Sequence, residues 1–471
     1  MPPTLFLRQY DLACLSLYSY LVGDTTTGRA VVVDPQRDVS EYLTDAAANG
    51  LRIERVLETH FHADFVSGHL ELAEATGAVI SYGDVAETDF PIDPLSHGQR
   101  LSLGEVTLEI RHTPGHTPEA ISIVVHEHPD RPPAAVLTGD TLFIGDVGRP
   151  DLLTSVGRTA DSLAQDLYRS LHEQLLTLPD DTLVYPAHGA GSACGKNLST
   201  AASSTIGEQR ATNYALAPMT VDAFVEAVTD GQGVAPLYFA FAADANKRDH
   251  DLLDDHEPPP SLTIDEALDL AHQGAVLLDT RSSEAFASGH LRGSVNVGLD
   301  GRFAEYAGDV IRPGQQVVLL GDHSRGTEAK VRLARIGFDD VAGEVPDLEA
   351  VLIQRPELAR TAPRLPAGDV AAWQAEDPNL QIVDVRNPGE TKVGGSVPGA
   401  LNLPLPQLLD HLEDLDPARP TVVYCAGGYR SSIAASTLRA HGFDQVADLI
   451  GGYTAWTTAN PPTHQGTEPI A

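Results

Sequence analysis

The segment Thr59-His60-Phe61-His62-Ala63-Asp64 sets two imidazoles and a carboxylate at alternate positions, where a turn can converge them on one cation. Three further donors follow: His116 in Thr113-Pro114-Gly115-His116-Thr117, Asp140 in Thr138-Gly139-Asp140, and His188 in Tyr185-Pro186-Ala187-His188-Gly189. Such a set suits zinc or iron, and two His with one carboxylate and open positions suit a non-haem Fe(II) centre. Farther along, Cys425-Ala426-Gly427-Gly428-Tyr429-Arg430 follows the apolar run Thr421-Val422-Val423-Tyr424 and precedes a helical stretch from Ser431 to Ala440. In a strand, tight loop and helix of this kind, backbone N–H groups point at the sulfur, lower its pKa and cradle an anion. Arg430 adds a fixed positive charge.

The elements that must position these residues alternate in type. Ala30 to Asp34, Val56 to Thr59, Val106 to Ile110, Ile121 to Val125, Ala135 to Leu137 and Leu183 to Tyr185 read as strands. Val39 to Gly50 and Val66 to Thr76 read as helices, stopped by Gly50 and Gly77. The metal-type donors sit where strands give way to loops, the usual place for ligands in α/β folds. Asp244 to Ser261, acidic and with Pro258-Pro259-Pro260, reads as a solvated linker. Beyond it the chain repeats itself. Val276 to Arg281 returns as Gln381 to Arg386, Gln316 to Leu320 as Thr421 to Cys425, and Gly337-Phe338-Asp339 as Gly442-Phe443-Asp444, each at an offset of 105. A repeat of that length is a duplicated domain. The expected division is 1–245, a linker 246–261, then 262–355 and 364–458.

The 471 residues carry 66 Asp and Glu against 31 Lys and Arg, a net charge of −35. Such a surface repels phosphate backbones and anionic lipid, so neither nucleic acid nor a membrane is an expected partner. No apolar run approaches the ~18 residues of a membrane span. Cys14, Cys194 and Cys425 are too few and too far apart for a disulfide framework, which fits a reducing cytoplasm. Residues Met1 to Tyr10 lack the apolar core and cleavage site of a signal peptide.

The donor set resembles the metallo-β-lactamase superfamily over about residues 3–215. The resemblance implies an αββα sandwich with a metal held between two sheets. Dinuclear zinc hydrolases of that fold carry a His after the motif Asp; here Phe65 follows Asp64. A phenyl ring cannot bind a metal, so a single-metal site is expected. Thr59 to His69, Thr113 to Glu119, Gly139 to Asp151 and Tyr185 to Lys196 resemble the persulfide dioxygenase branch. That resemblance implies one Fe(II) per chain on His60, His116 and Asp140. His62, Asp64 and His188 then either orient ligands and substrate or join as ligands. It further implies O₂ and a thiol persulfide of glutathione or coenzyme A type as substrates, with sulfite and thiol as products. Arg149 is a candidate contact for the substrate anion, set against a pairing with Asp146 or Asp151. Tyr185 is a candidate hydrogen-bond partner of substrate, set against a core role. Cys194, in a Gly-rich loop, either relays sulfane sulfur or is a small buried residue; Cys14 reads as core of an apolar N-terminal strand, Leu12 to Leu17.

The Cys425 loop, Asp384 to Glu390, Gly395 to Pro404 and Gly451 to Trp456 resemble the rhodanese sulfurtransferases over 364–458. This implies a Cys425 persulfide that exchanges sulfur with thiosulfate, sulfite or a thiol. Asp384 and Arg386 read as a structural pair. In the first copy Cys425 falls on Leu320 and Arg430 on Arg325, with Asp322 in the loop. Without a thiolate no persulfide forms, so 262–355 is expected to be a silent rhodanese-like domain, a spacer or docking surface. The expected whole is an α/β chain, an αββα sandwich followed by two rhodanese-like domains with parallel sheets, acting in sulfide detoxification. The alternative is a zinc-dependent, glyoxalase II-like thioester hydrolase fused to rhodanese domains. Homo-oligomerisation is left open. Because the implied substrates are small anions in a repulsive field, moderate salt should leave kcat/KM unchanged or raise it; a fall would show that the surface recruits substrate.

Overall fold

The computed structural model describes residues 4–152 and 157–460. The chain divides into two compact units, Met1–Glu257 with Lys330–Asp339, and Pro258–Ala329 with Asp340–Ala471.

In the first unit, strands Leu5–Leu12, Leu17–Asp24, Arg29–Val33, Arg52–Leu57 and Val79–Ser81 form one sheet in chain order. Strands Arg100–Ser102, Thr107–His112, Ile121–His126, Ala135–Gly139, Leu183–Pro186 and Ser204–Thr205 form a second, again in chain order. The apolar run after Arg29 is continuous because both of its faces are covered. Val31 and Val33 meet Leu108, Ile110, Ile123 and Leu137 of the second sheet. Ala30 and Val32, one residue out of phase, pack with Tyr42 and Leu72 from helices Ser40–Ala48 and His69–Thr76. On the far side, Val124, Val136 and Val184 pack against Ala164 and Leu167 of helix Ala160–Arg169. The layers are helix, sheet, sheet, helix, the expected sandwich.

Three expectations need correction. The second helix begins at His69 rather than Val66. The backbone N–H groups of Val66, Ser67 and Gly68 are given instead to the Arg335 carbonyl, Asn246 Oδ1 and the Pro35 carbonyl. Gly68 is required there, since a Cβ would lie 2.2 Å from the Gln36 carbonyl oxygen. The stretch read as a solvated linker from Asn246 is anchored. Asn246 is fully buried, donates to the His62 and Phe65 carbonyls (2.8 Å each) and accepts from Ser67 N–H (2.8 Å). Its acidic composition hid one buried carboxamide that satisfies three backbone groups of the donor loop. Finally, Ala13 to Ser16 is a turn between two strands, with Ser16 at φ 53°, and Cys14 lies half-buried on it, its Sγ accepting from Arg335 Nη1 (3.4 Å).

In the second unit the two copies share one topology. Strands Val295–Asn296, Val276–Asp279, Val317–Gly321 and Val341–Pro346 are parallel neighbours in that order. Leu401–Asn402, Gln381–Asp384, Thr421–Tyr424 and Val446–Leu449 repeat the arrangement, and Arg364–Leu365 extends it. The central strands Val317–Gly321 and Thr421–Tyr424 deliver the two loops in question. Among the described residues no helix is long and apolar enough to cross a membrane.

Asn246→Ala should leave buried groups of the donor loop unpaired at a cost of about 1–3 kcal/mol. At ~2–4 °C per kcal/mol, the thermal transition of the first unit should fall by several degrees. An unchanged transition would remove the role given to this carboxamide.

Candidate metal centre and sulfur cradle

His60, His116 and Asp140 converge between the sheets, each at most 2% exposed, with ligand atoms all within 4.8 Å of one another. His116 Nε2 lies 3.3 Å and His60 Nε2 3.9 Å from Asp140 Oδ2. His188 Nε2 lies 3.4 Å from Asp140 Oδ1 and 3.4 Å from Asp64 Oδ2. The far nitrogen of each ring is tied down. His116 Nδ1 donates to the Arg149 carbonyl (2.8 Å) and His188 Nδ1 to the Ser16 carbonyl (3.0 Å). His60 Nδ1 meets Thr59 Oγ1 (2.9 Å), whose own proton goes to Asp34 Oδ2 (2.9 Å). These partners accept, so the proton sits on Nδ1 and each Nε2 presents a lone pair. Burial first, then the neighbouring imidazoles, push the His60 pKa well below its ordinary value. Among the described residues, His60 Nε2, His188 Nε2 and both Asp140 oxygens have no hydrogen-bond partner. Buried lone pairs aimed at one another need a cation, and nitrogen with carboxylate donors suits a divalent metal.

Asp34 organises this loop. It ends strand Arg29–Val33 in the left-handed region (φ 51°), sparsely used by residues other than glycine. Its carboxylate accepts from Thr59 N (2.7 Å) and Thr59 Oγ1, and lies 3.1 Å from His62 Nε2. Glu58 flanks the same ring at 3.6 Å and holds His69 at 3.4 Å. Burial opposes charge on His62, but Asp34 and Glu58 outweigh it and raise its pKa well above the ordinary value. The six donors read from the sequence are therefore all brought together, in different roles. His60, His116 and Asp140 face one point, His188 Nε2 lies between Asp140 and Asp64, and His62 Nε2 faces the Asp34 and Glu58 carboxylates while a ring nitrogen stays within 4.8 Å of Asp64 and His188 donors. Asp34 and Glu58 were not identified as functional from the sequence, although each closes or extends a buried strand just before the motif. Phe65 is fully buried with its ring 4.3 Å from that of His62 and offers no donor atom to the cluster.

Arg149 does not offer its guanidinium to an anion. It is buried, pairs with both oxygens of Asp151 (2.7 Å each) and donates to the Ala193 and Gly233 carbonyls (3.2 and 2.8 Å). It acts on the centre through its carbonyl on His116. Tyr185 lies half-buried against the inter-sheet core, its ring edge-on to Tyr20 at 5.8 Å. Cys194 is buried with its sulfur within 4.8 Å of Asp140 and His188 donors. Burial, then the Asp64 and Asp140 carboxylates, push its thiol pKa well above the ordinary value.

In the second unit, Cys425 Sγ is buried and accepts the Gly428 N–H (3.1 Å) at the start of helix Tyr429–Ala440. Gly428 takes φ 104°, which turns that N–H inward. Gly452 backs the loop, where a Cβ would lie 2.3 Å from the Cys425 carbonyl oxygen. Arg430 is not a free charge at the rim: both its terminal nitrogens pair with Glu390 (2.7 and 2.8 Å). Arg386 pairs with Asp384 (2.5 and 2.9 Å) and lies over the Tyr453 ring (4.1 Å), a structural pair as expected. In the first copy, Leu320 is fully buried, Asp322 accepts Ser324 N–H (2.9 Å), and Arg325 has turned to Asp300 (2.9 Å) and Glu328 (3.0 Å). No thiol stands there.

Comparison with known proteins agrees with this geometry. The metallo-beta-lactamase superfamily model matches residues 13–188 and the rhodanese-like domain model matches twice, at 263–343 and 367–459. The mitochondrial persulfide dioxygenase ETHE1 of Bos taurus is 31% identical over 246 residues, 51% of this chain and 87% of that protein. The chain belongs to the persulfide dioxygenases of the metallo-β-lactamase superfamily, extended by two rhodanese-like domains. A crystal structure of a metallo-beta-lactamase from Staphylococcus aureus is 32% identical with a TM-score of 0.68, covering 73% of this chain and all (100%) of that one. A hydroxyacylglutathione hydrolase of Polaromonas sp. is 36% identical over 177 residues, 36% of this chain and 61% of that protein. In this persulfide dioxygenase–rhodanese fusion, Asp34→Asn keeps the left-handed backbone and the side-chain shape but removes the charge behind Thr59 and His62. Chelator competition should show a metal affinity lowered about 10–100-fold; parental affinity would show that Asp34 does not orient the donors.

Proposed function

We propose that the chain holds one Fe(II) on His60, His116 and Asp140 and oxidises a low-molecular-weight thiol persulfide, of glutathione or coenzyme A type, to sulfite. The balance is RSSH + O₂ + H₂O giving RSH, SO₃²⁻ and two protons. The observation that carries this reading is the buried Asp140 carboxylate with three Nε2 atoms around it; Phe65, next to Asp64, offers no nitrogen to the neighbouring group of His62, Asp64 and His188. Bound iron would supply the redox step between O₂ and the terminal sulfur. The residues do the rest. Thr59 and the Arg149 carbonyl keep His60 and His116 in the tautomer that presents Nε2. Cys194 lies buried beside the Asp140 and His188 donors, within reach of the same point. His62, drawn to Asp34 and Glu58, places positive charge near the donor loop.

In the second unit Cys425 acts as sulfur carrier. Its thiolate attacks the outer sulfur of thiosulfate, the S–S bond breaks, and sulfite leaves with the electron pair. Gly428 N–H faces the resulting persulfide. A thiol then takes the terminal sulfur as RSS⁻, the substrate of the metal site; run from a persulfide to sulfite, the exchange makes thiosulfate. The three cysteines are all free, as a reducing compartment such as the cytoplasm requires. A thioester hydrolase reading rests on the hydroxyacylglutathione hydrolase similarity, and Phe65 weighs against it. It predicts turnover of S-lactoylglutathione by the zinc form.

Iron-loaded protein should consume O₂ with glutathione persulfide and release one sulfite per O₂. Stoichiometric zinc with no O₂ uptake after iron loading would contradict the reading. Cys425→Ser should abolish sulfur transfer from thiosulfate and spare O₂ uptake; joint loss would contradict two separate sites.

A further inference from the structure

The silent repeat touches the cradle. Tyr429, between Gly428 and Arg430, extends its ring out of the Cys425 loop. Its hydroxyl donates to the Gly298 carbonyl (3.0 Å) and reaches the Asp300 carbonyl (3.4 Å) in the silent repeat. Its ring stands edge-on to Tyr306, from helix Phe303–Val310 of that repeat, at 5.3 Å and 79°. A Cβ built on Gly298 or Gly301 would lie about 4 Å from the Tyr429 ring, so this loop of the silent repeat runs alongside it. Arg325, the counterpart of Arg430, makes an ion pair with Asp300 of this same loop. A second tether lies about two turns along the helix, where buried Ser436 Oγ accepts the Asn296 N–H (2.9 Å).

The consequence is mechanical. Gly428 directly precedes Tyr429, and its N–H must hold its direction for the sulfur to stay stabilised. A ring anchored at its far end on another domain removes freedom from the first turn of the helix. We infer that the silent rhodanese-like domain is part of the sulfur-transfer site, with Tyr429 as a positioning residue whose hydroxyl, held by the loop around Gly298, keeps the Gly428 N–H on Cys425. This rests on the reading of Cys425 as a sulfur carrier. It replaces the role of spacer expected for that repeat with one in shaping the cradle.

The test uses the full chain with Tyr429→Phe, which keeps the ring against Tyr306 and removes only the tether. Iodoacetamide labelling of Cys425, followed by peptide mass spectrometry across pH, reads the thiolate directly. The labelling midpoint should rise by about 0.3–1 pH unit, and kcat for sulfur loading from thiosulfate should fall about two- to ten-fold, a span set by one neutral hydrogen bond. Ser436→Ala, which cuts the other tether between the same repeats, should leave the midpoint in place. A parental midpoint and kcat in Tyr429→Phe would overturn the inference. So would an equal shift in Ser436→Ala, which would mean general loosening rather than positioning. If the parental chain accepts no sulfur from thiosulfate, the sulfur-carrier reading fails, while the labelling midpoints still decide whether Tyr429 positions the cradle.

Discussion

A carboxylate almost wholly removed from water, with neither oxygen hydrogen-bonded, is the constraint on which the first unit turns. Leaving Asp140 charged and unpaired in that setting would cost several kcal/mol. Three imidazole nitrogens face it, and their own protons are held on the opposite side of each ring, so they offer lone pairs rather than compensation. Only a cation satisfies all of them. The fold is arranged so that donors from the ends of separate strands reach one point, and the metal and its donors stabilise that convergence together.

The convergence is enforced from behind. Asp34 accepts a strained backbone angle in order to take two hydrogen bonds from Thr59 and to face His62. Asn246 ties the carbonyls of His62 and Phe65. The donor loop is thus held by side chains remote in sequence, and its geometry does not depend on local helix or strand hydrogen bonds.

The layers, the repeat and the donor types were legible because they rest on local pattern: short continuous apolar runs, a self-match at constant offset, and histidines at strand ends. The supports were less legible because they are long-range. Nothing local marks Asn246 as buried, and its acidic neighbourhood points the other way. Arg149 and Arg430 were read by charge as anion contacts, yet each is neutralised by a carboxylate, Asp151 and Glu390, close enough in space to claim it first. Cys14 was read as strand core because Leu12 to Leu17 is apolar; the positive φ of Ser16 that makes it a turn carries no strong sequence mark.

The two copies of the second unit show how little must change to silence a site. Strand order is kept, but Leu320 replaces the thiol and Arg325 pairs with Asp300 and Glu328. In the metal unit, Phe65 is buried against His62 and offers no nitrogen donor. The central claim of the proposed function is that the donors of that unit hold one metal per chain. Metal content per chain after iron reconstitution and desalting tests it most directly. One iron per chain, lost in Asp140→Ala, is the predicted result; two metal ions per chain would contradict the account.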